Sequence, residues 1–345
     1  MGTPTSVVPP AAVHNWHRAG HDWRRGSPVL RPRAEEGKPV DRAQASATDQ
    51  RPGRRQPPPD VRAPHGLALV SVATFVMVLV AAMLHAAWNL AMKDSDDRLL
   101  AAWAIMGVGG LVSLPVLVVL GPPPAEALGW LALSVGIHVG YVLALSRAYE
   151  LTDLAVAYPV ARGTAPLLVT IGGVTLLGDA ISPLGIVGVA LVSGGLMSMM
   201  RRGSLAGYRW AVFTGLFIAS YTLSDGAGVR AGDDALRYIA ALFVLQTALL
   251  SVVVLRVRGR RSMVDTMRAQ PWRLGMAGCA GVTAYLLVLI ASRTSPLGLV
   301  SGLRETSTAF GVLGGSVFLG ESVTPKHAAA VAAAIVGALL ILAGS

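Results

Sequence analysis

The chain has 345 residues, 53% of them hydrophobic and only 14% charged, with a mean hydropathy of +0.57. A soluble globular domain carries more charge than this, so water is not its main solvent. The formal charge of +10 divides evenly between residues 1–65, with 11 basic and 6 acidic side chains, and the remainder, with 18 and 13; in the remainder the positive charge sits mostly in short loops, which suits a membrane protein rather than a nucleic-acid binder.

Residues 1–65 hold 11 of the 21 prolines and no apolar periodicity, and read as a disordered Pro/Arg-rich tail. The tail lacks the apolar centre of a secretory signal. Beyond it, apolar runs of about 18 to 25 residues follow one another, the length that spans a hydrocarbon core of roughly 30 Å. None shows the single polar face of a helix lying on a soluble core. The runs predict a first set of helices at 67–92, 98–120, 127–148, 153–176 and 183–200. A second set follows at 207–228, 235–256, 272–292, 296–319 and 326–343. The fold class expected is thus an all-α membrane protein of ten transmembrane helices.

The two sets read as a duplication, with repeats over 66–203 and 204–345. A constant shift of 142 residues lays Ala161-Arg162-Gly163-Thr164 on Leu303-Arg304-Glu305-Thr306, Leu177-Gly178-Asp179 on Leu319-Gly320-Glu321, and Ser182-Pro183 on Thr324-Pro325. Ser182 and Thr324 are expected to cap the last helix of each set, with proline at the first helical position, where its missing N–H costs nothing. Five spans per copy is an odd number, so the second copy enters the membrane in the opposite sense. Inverted repeats of this kind underlie alternating access in secondary transporters. The glycine pairs Gly136/Gly140 and Gly311/Gly315 have the spacing of close helix contacts.

Arg162, Arg304 and Glu305 fall near the middle of predicted spans, where a charge costs about 2.5 to 3.5 kcal/mol on insertion scales. They are expected to face the bundle interior. Two readings stand. In one, the two guanidinium groups grip an anionic substrate by forked hydrogen bonds, and Glu305 exchanges a coupling proton. In the other, Arg162 and Glu305 form a structural ion pair and Arg304 binds carbonyls. Neighbours on a helix point about 100° apart, which separates Arg304 from Glu305. His85, Trp88 and Asn89 share one face of the first helix, and read either as a cavity lining or as an interface anchor with interhelical hydrogen bonds. Tyr158, one turn before Arg162, and Tyr141 complete the candidate substrate-binding residues. His138 and Asp225 read as structural hydrogen-bonding groups. Cys279 is the only cysteine, which excludes an internal disulfide and a cysteine metal cluster. No HExxH, GxSxG or phosphate-loop motif is present, so neither an enzyme nor a cofactor is expected.

Leu84-His85-Ala86-Ala87-Trp88-Asn89 with Lys93, Tyr158-Pro159-Val160-Ala161-Arg162-Gly163-Thr164-Ala165-Pro166, Leu303-Arg304-Glu305-Thr306-Ser307 and the Leu-Gly-Asp and Leu-Gly-Glu helix endings resemble the EamA-type ten-helix members of the drug/metabolite transporter superfamily. The resemblance covers residues 67–343. It implies a multi-pass protein of the cell membrane that exports or exchanges a small polar, anionic or zwitterionic metabolite through a central cavity. The partners expected are that solute, the lipid bilayer, a proton or other coupling ion, and a second copy of the chain in a homodimer. The resemblance also implies a cytoplasmic amino terminus, whereas the arginines of the 201–209 and 256–273 loops favour the opposite orientation. A non-transporting membrane scaffold or sensor on the same fold is the alternative.

Overall fold

The structure is a computed structural model and describes residues 70–92, 97–152, 154–200, 203–320 and 322–345. The tail at 1–65, Lys93 and Glu321 lie outside the described residues. Among those described, the regular elements are all helical: α1 (Val72–Met92), α2 (Arg98–Leu120), α3 (Ala125–Leu151), α4 (Leu154–Leu176), α5 (Pro183–Ser198), α6 (Leu205–Gly232), α7 (Ala235–Ala269), α8 (Pro271–Thr294), α9 (Leu297–Arg304), α10 (Ser307–Leu319) and α11 (Pro325–Ala343).

Side-chain caps fix several of the starts. Asp97 accepts from the N–H groups of Leu99 and Leu100 at 3.0 and 3.1 Å, Ser204 from Gly207 at 3.0 Å, and Asp234 from Arg237 at 2.9 Å. Ser182 accepts from Gly185 N–H at 3.0 Å, with Pro183 at the first helical position. Thr324 and His327 cap each other reciprocally ahead of Pro325. Each cap satisfies a donor that the helix leaves orphaned. Inside α7 the chain turns at Gly259, where φ is 79°, a left-handed value that favours glycine.

The helix expected at 235–256 runs on to Ala269 past the turn at Gly259, and a second expected helix is broken. The 296–319 segment is broken at Glu305 and Thr306 into α9 and α10. Glu305 N–H bonds to Gly302 O and Thr306 N–H to Leu303 O, both at 3.1 Å, and Thr308 and Ala309 repeat the three-residue spacing. This is a tightened 3₁₀ turn. The Thr306 hydroxyl also donates to Leu303 O at 2.7 Å, so a side chain competes for a carbonyl that the α-helical ladder would otherwise use.

The helices α1, α2, α3, α7, α8 and α11 are long and apolar enough to cross a membrane. The other expected spans do not reach that measure. With 16 residues, α5 covers only about 24 Å, and the break leaves α9 and α10 with 8 and 13 residues. In the packing, α3 lies against α6, α1 against α8, α2 against α7, and α5 against α11, while α4 packs on α6 and α1 on α9 and α10. Every residue of α9 is buried: Leu299, Val300 and Leu303 join Val78 of α1, Val189 of α5, Val288 of α8 and Ile341 of α11 in one cluster. Arg304 therefore ends a helix that runs through the centre of the bundle.

The expected glycine contacts are met only in part. A Cβ on Gly140 would meet Phe217 at 2.6 Å, but Gly136 and Gly311 face open space. Glycine meets glycine between α5 and α11, where a Cβ on either Gly188 or Gly337 would lie 2.7 Å from the other's carbonyl oxygen. Small residues there let the backbones touch, and dispersion holds the pair where lipid offers no hydrophobic drive.

Candidate functional site

A cavity of about 1150 Å³ opens inside the bundle. It is lined by His85, Trp88 and Asn89 of α1, His138 and Tyr141 of α3, Tyr158 and Arg162 of α4, Tyr221 of α6, Gln246 of α7, Tyr285 of α8 and Arg304 of α9. Exposed Thr324 and Lys326 stand at its mouth. Seven of the eight residues singled out from the sequence line this one cavity, and Glu305 lies behind its wall with no exposed surface.

The α1 face is held by bonds within the helix. Trp88 Nε1 donates to His85 Nδ1 at 3.3 Å, and Asn89 Nδ2 donates to His85 O at 2.7 Å. Accepting at Nδ1 leaves the His85 proton on Nε2. The two rings meet edge to face with centroids 5.1 Å apart.

Arg162 and Arg304 are 5% and 3% exposed. Arg162 Nε lies 2.8 Å from Glu305 Oε2, its Nη2 donates to Ser307 Oγ at 3.4 Å, and its guanidinium carbon sits 5.9 Å from the Tyr158 ring centroid. Arg304 Nε is 3.8 Å from Glu305 Oε1. The separation expected of adjacent helical residues is not found: at the tightened turn, Glu305 lies between both arginines. Neither contact is a well-aimed hydrogen bond, since Arg162 Nε, both Glu305 oxygens, and Nε and Nη2 of Arg304 have no hydrogen-bond partner. Two guanidinium groups thus share one carboxylate, leaving this cluster with a net positive charge and unused donors.

A second polar group was missed as a unit, because its members lie on four helices. Asp225 of α6 is fully buried and accepts from Tyr238 Oη at 2.9 Å and from Tyr285 Oη at 2.5 Å. His138 Nε2 lies 3.9 Å from Asp225 Oδ2, and its ring stacks on Tyr221 with centroids 4.1 Å apart. The only sequence signal was a run of hydroxyl and acidic residues inside apolar segments. Gln246 was also missed, and its Oε1 has no partner.

At the opposite end of α4 from Tyr158, roughly 30 Å along the helix, the bundle is closed by a clamp. Arg230, in the last turn of α6, donates to Asp179 Oδ1 at 2.7 Å and to the carbonyls of Ser292 and Ser295 at 2.9 Å each. Asp179 Oδ2 in turn accepts from the N–H of Leu297, the first residue of α9, at 2.7 Å. The clamp joins the ends of α4, α6, α8 and α9. Nearby, Ser182 Oγ donates to Gly344 O at 2.5 Å.

Apolar spans of this length around a polar interior define a multi-pass integral membrane protein of helical type. No protein-family model matches the chain, and no curated protein matches it. Among solved structures it is similar to one described only as "Crystal structure of protein", with a TM-score of 0.60 and 19% identity over 78% of this chain and 96% of that one. At that identity the likeness is one of fold.

Proposed function

We propose that the chain is a secondary transporter of the EamA type, in which two inverted five-helix repeats move a small anionic or zwitterionic metabolite by alternating access. The observation that carries this reading is Arg304: it is almost fully buried, lines a cavity large enough for a metabolite, and has an Nε and an Nη2 without hydrogen-bond partners. A buried guanidinium in that state is poised to bind a carboxylate or phosphate. The structural reading expects Arg304 to be satisfied by carbonyls, and neither of those two nitrogens is.

The packing supports the repeat. Exchanging the first set of helices for the second turns the α3–α6 pair into α8–α1, and leaves α2–α7 and α5–α11 unchanged, as a pseudo-two-fold axis requires. The cavity mouth lies near the C-terminal residues of α1, whereas the C-terminal turn of α6 carries the Arg230 clamp at the closed end, so equivalent helices run in opposite senses. A site open at one end and clamped at the other suits one state of an alternating-access cycle. Proton coupling and residence in the cell membrane belong to the same proposal.

The test compares small molecules released by cells expressing the wild-type chain, cells expressing Arg304→Ala at equal membrane abundance, and cells lacking the protein. Enrichment of carboxylate- or phosphate-bearing metabolites in the medium is expected with the wild type alone. Indistinguishable profiles across growth conditions would overturn transport in favour of a scaffold.

A further inference from the structure

The His138–Asp225 pair has a feature that the arginine cluster lacks. His138 Nδ1 lies 3.0 Å from both Ser134 Oγ and the Ser134 carbonyl oxygen. Its Nε2 faces Asp225 Oδ2 at 3.9 Å. A carbonyl and an ionised carboxylate only accept, so each ring nitrogen faces an acceptor. A neutral imidazole has one proton to give, and its other nitrogen can only accept, from the Ser134 hydroxyl when the proton sits on Nε2. Protonated at both nitrogens, the ring donates to Ser134 and sets its positive charge against the carboxylate.

Asp225 points the same way. Its neighbours within hydrogen-bond reach are the phenols of Tyr238 and Tyr285, and His138, when protonated, is the one cationic partner that the described ion pairs give it. Glu305, the carboxylate first considered for proton exchange, is already flanked by two guanidinium groups at 2.8 and 3.8 Å. The groups facing the histidine from the packed helices are Asp225 and Tyr221 of α6, Tyr238 of α7, which reaches Asp225, Tyr285 of α8 and, through space, Arg304 of α9. Only Asp225 among them is acidic. The His138 ring lines the cavity while Asp225 does not, so the proton has a route to the histidine and the carboxylate stays shielded.

We infer that His138 and Asp225 form the proton-binding site of this cavity. One proton leaves a hydronium ion, which becomes water, and an N–H bond forms on the imidazole. The pair passes from a charge of −1 to 0 as imidazolium and carboxylate face each other. The change reaches the arginine cluster. With the pair charged, its −1 opposes the net +1 of Arg162, Arg304 and Glu305; with the pair neutral, that +1 is free to draw an anion into the cavity. Proton and anion then bind cooperatively, each raising the other's affinity. This use of the site rests on the transport reading above; its existence does not.

The test is a pH titration of the full chain in lipid nanodiscs, with ¹⁵N-labelled histidine read by NMR from pH 5 to 9. The chain has seven histidines, and the signal missing in His138→Gln identifies the one at issue. It is expected to pass from one ring proton to two within that range, with its midpoint moved at least one pH unit lower in Asp225→Asn. Infrared pH-difference spectra of the unmutated protein give a second reading that does not depend on either variant folding. An imidazolium band is expected to grow as pH falls while the carboxylate bands stay, and a buried protonated carboxyl in its place counts against the site. A ring that keeps one proton throughout, a ring that keeps both throughout, or an unmoved midpoint in Asp225→Asn overturns the proposal. A titrating pair in a protein whose cells release an unchanged set of metabolites would sustain the proton site and overturn transport.

Discussion

Two arginine–carboxylate groups in this bundle are built on opposite plans. At the closed end, Arg230 has three acceptors and Asp179 two donors, all between 2.7 and 2.9 Å. At mid-bundle, Arg162 and Arg304 share one carboxylate, and most of the atoms that meet there have no hydrogen-bond partner. Satisfied buried polar networks rigidify, whereas partly satisfied ones carry a cost that a protein retains for a purpose. The clamp joins helix ends, and the mid-bundle cluster leaves donors unused.

The largest effect is expected at Glu305. Glu305→Ala leaves two buried guanidinium groups with no carboxylate, which costs about 3–5 kcal/mol. A fall of that size should appear in thermal or denaturant unfolding of the protein in micelles, with Glu305→Gln suffering less. Unchanged stability would mean that water reaches the cluster and the comparison fails. Next comes the clamp. Asp179→Ala removes the acceptor for Arg230 and for Leu297 N–H, a loss of about 2 kcal/mol from the closed arrangement, and each 1.4 kcal/mol raises the open population about tenfold. In a Cys279→Ala background, a cysteine replacing Ser295, which is 2% exposed, should react with maleimide at least about tenfold faster once Asp179 is Ala. Equal rates would show that the clamp does not hold this end shut.

Arg304→Ala should change stability by less than about 1 kcal/mol in either direction, because it removes a charge the fold does not satisfy. Unfolding measured beside Glu305→Ala separates the two roles. A collapse as deep as that of Glu305→Ala would make Arg304 a structural group.

Much of this architecture is written in local sequence. Most segment ends agree to within a few residues, α7 running on to Ala269 being the exception, and the caps at Ser182 and Thr324 stand where a hydroxyl precedes proline. The depth of Arg162 and Arg304 follows from counting along apolar runs. The break at Glu305 does not, because Thr306 lowers helix stability only when its hydroxyl turns back onto Leu303, a choice made by packing. The clamp was equally hidden. Arg230 falls just past the predicted end of its helix and resembles an ordinary loop charge, and its partner is 51 residues away. His138 and Asp225 were noted singly, but their pairing across α3 and α6 depends on how each helix is rotated, which near-uniform hydrophobicity leaves open.

A third pair extends the comparison to the surface. Asp97 caps α2 through Leu99 and Leu100 and accepts from Arg258 Nε at 2.7 Å, with both side chains about one-third exposed. Burial alone would raise the Asp97 carboxyl, but the hydrogen bonds from Leu100 and Arg258, the charge of Arg258 and the hydrogen bond from Leu99 together hold it below its ordinary value. The sign follows from that direction. Because the folded protein binds this proton less readily than the unfolded chain, the pair's contribution is fully present above the ordinary carboxylate range, near pH 4. It is lost as pH falls through the lower folded value. Asp97→Asn keeps an acceptor for the cap but no charge for Arg258, so a loss of under about 1 kcal/mol is expected at pH 7 and 50 mM salt, shrinking as salt rises. The wild type and the variant should converge below pH 4, and a difference that persists there would assign the effect to the cap rather than to the charge.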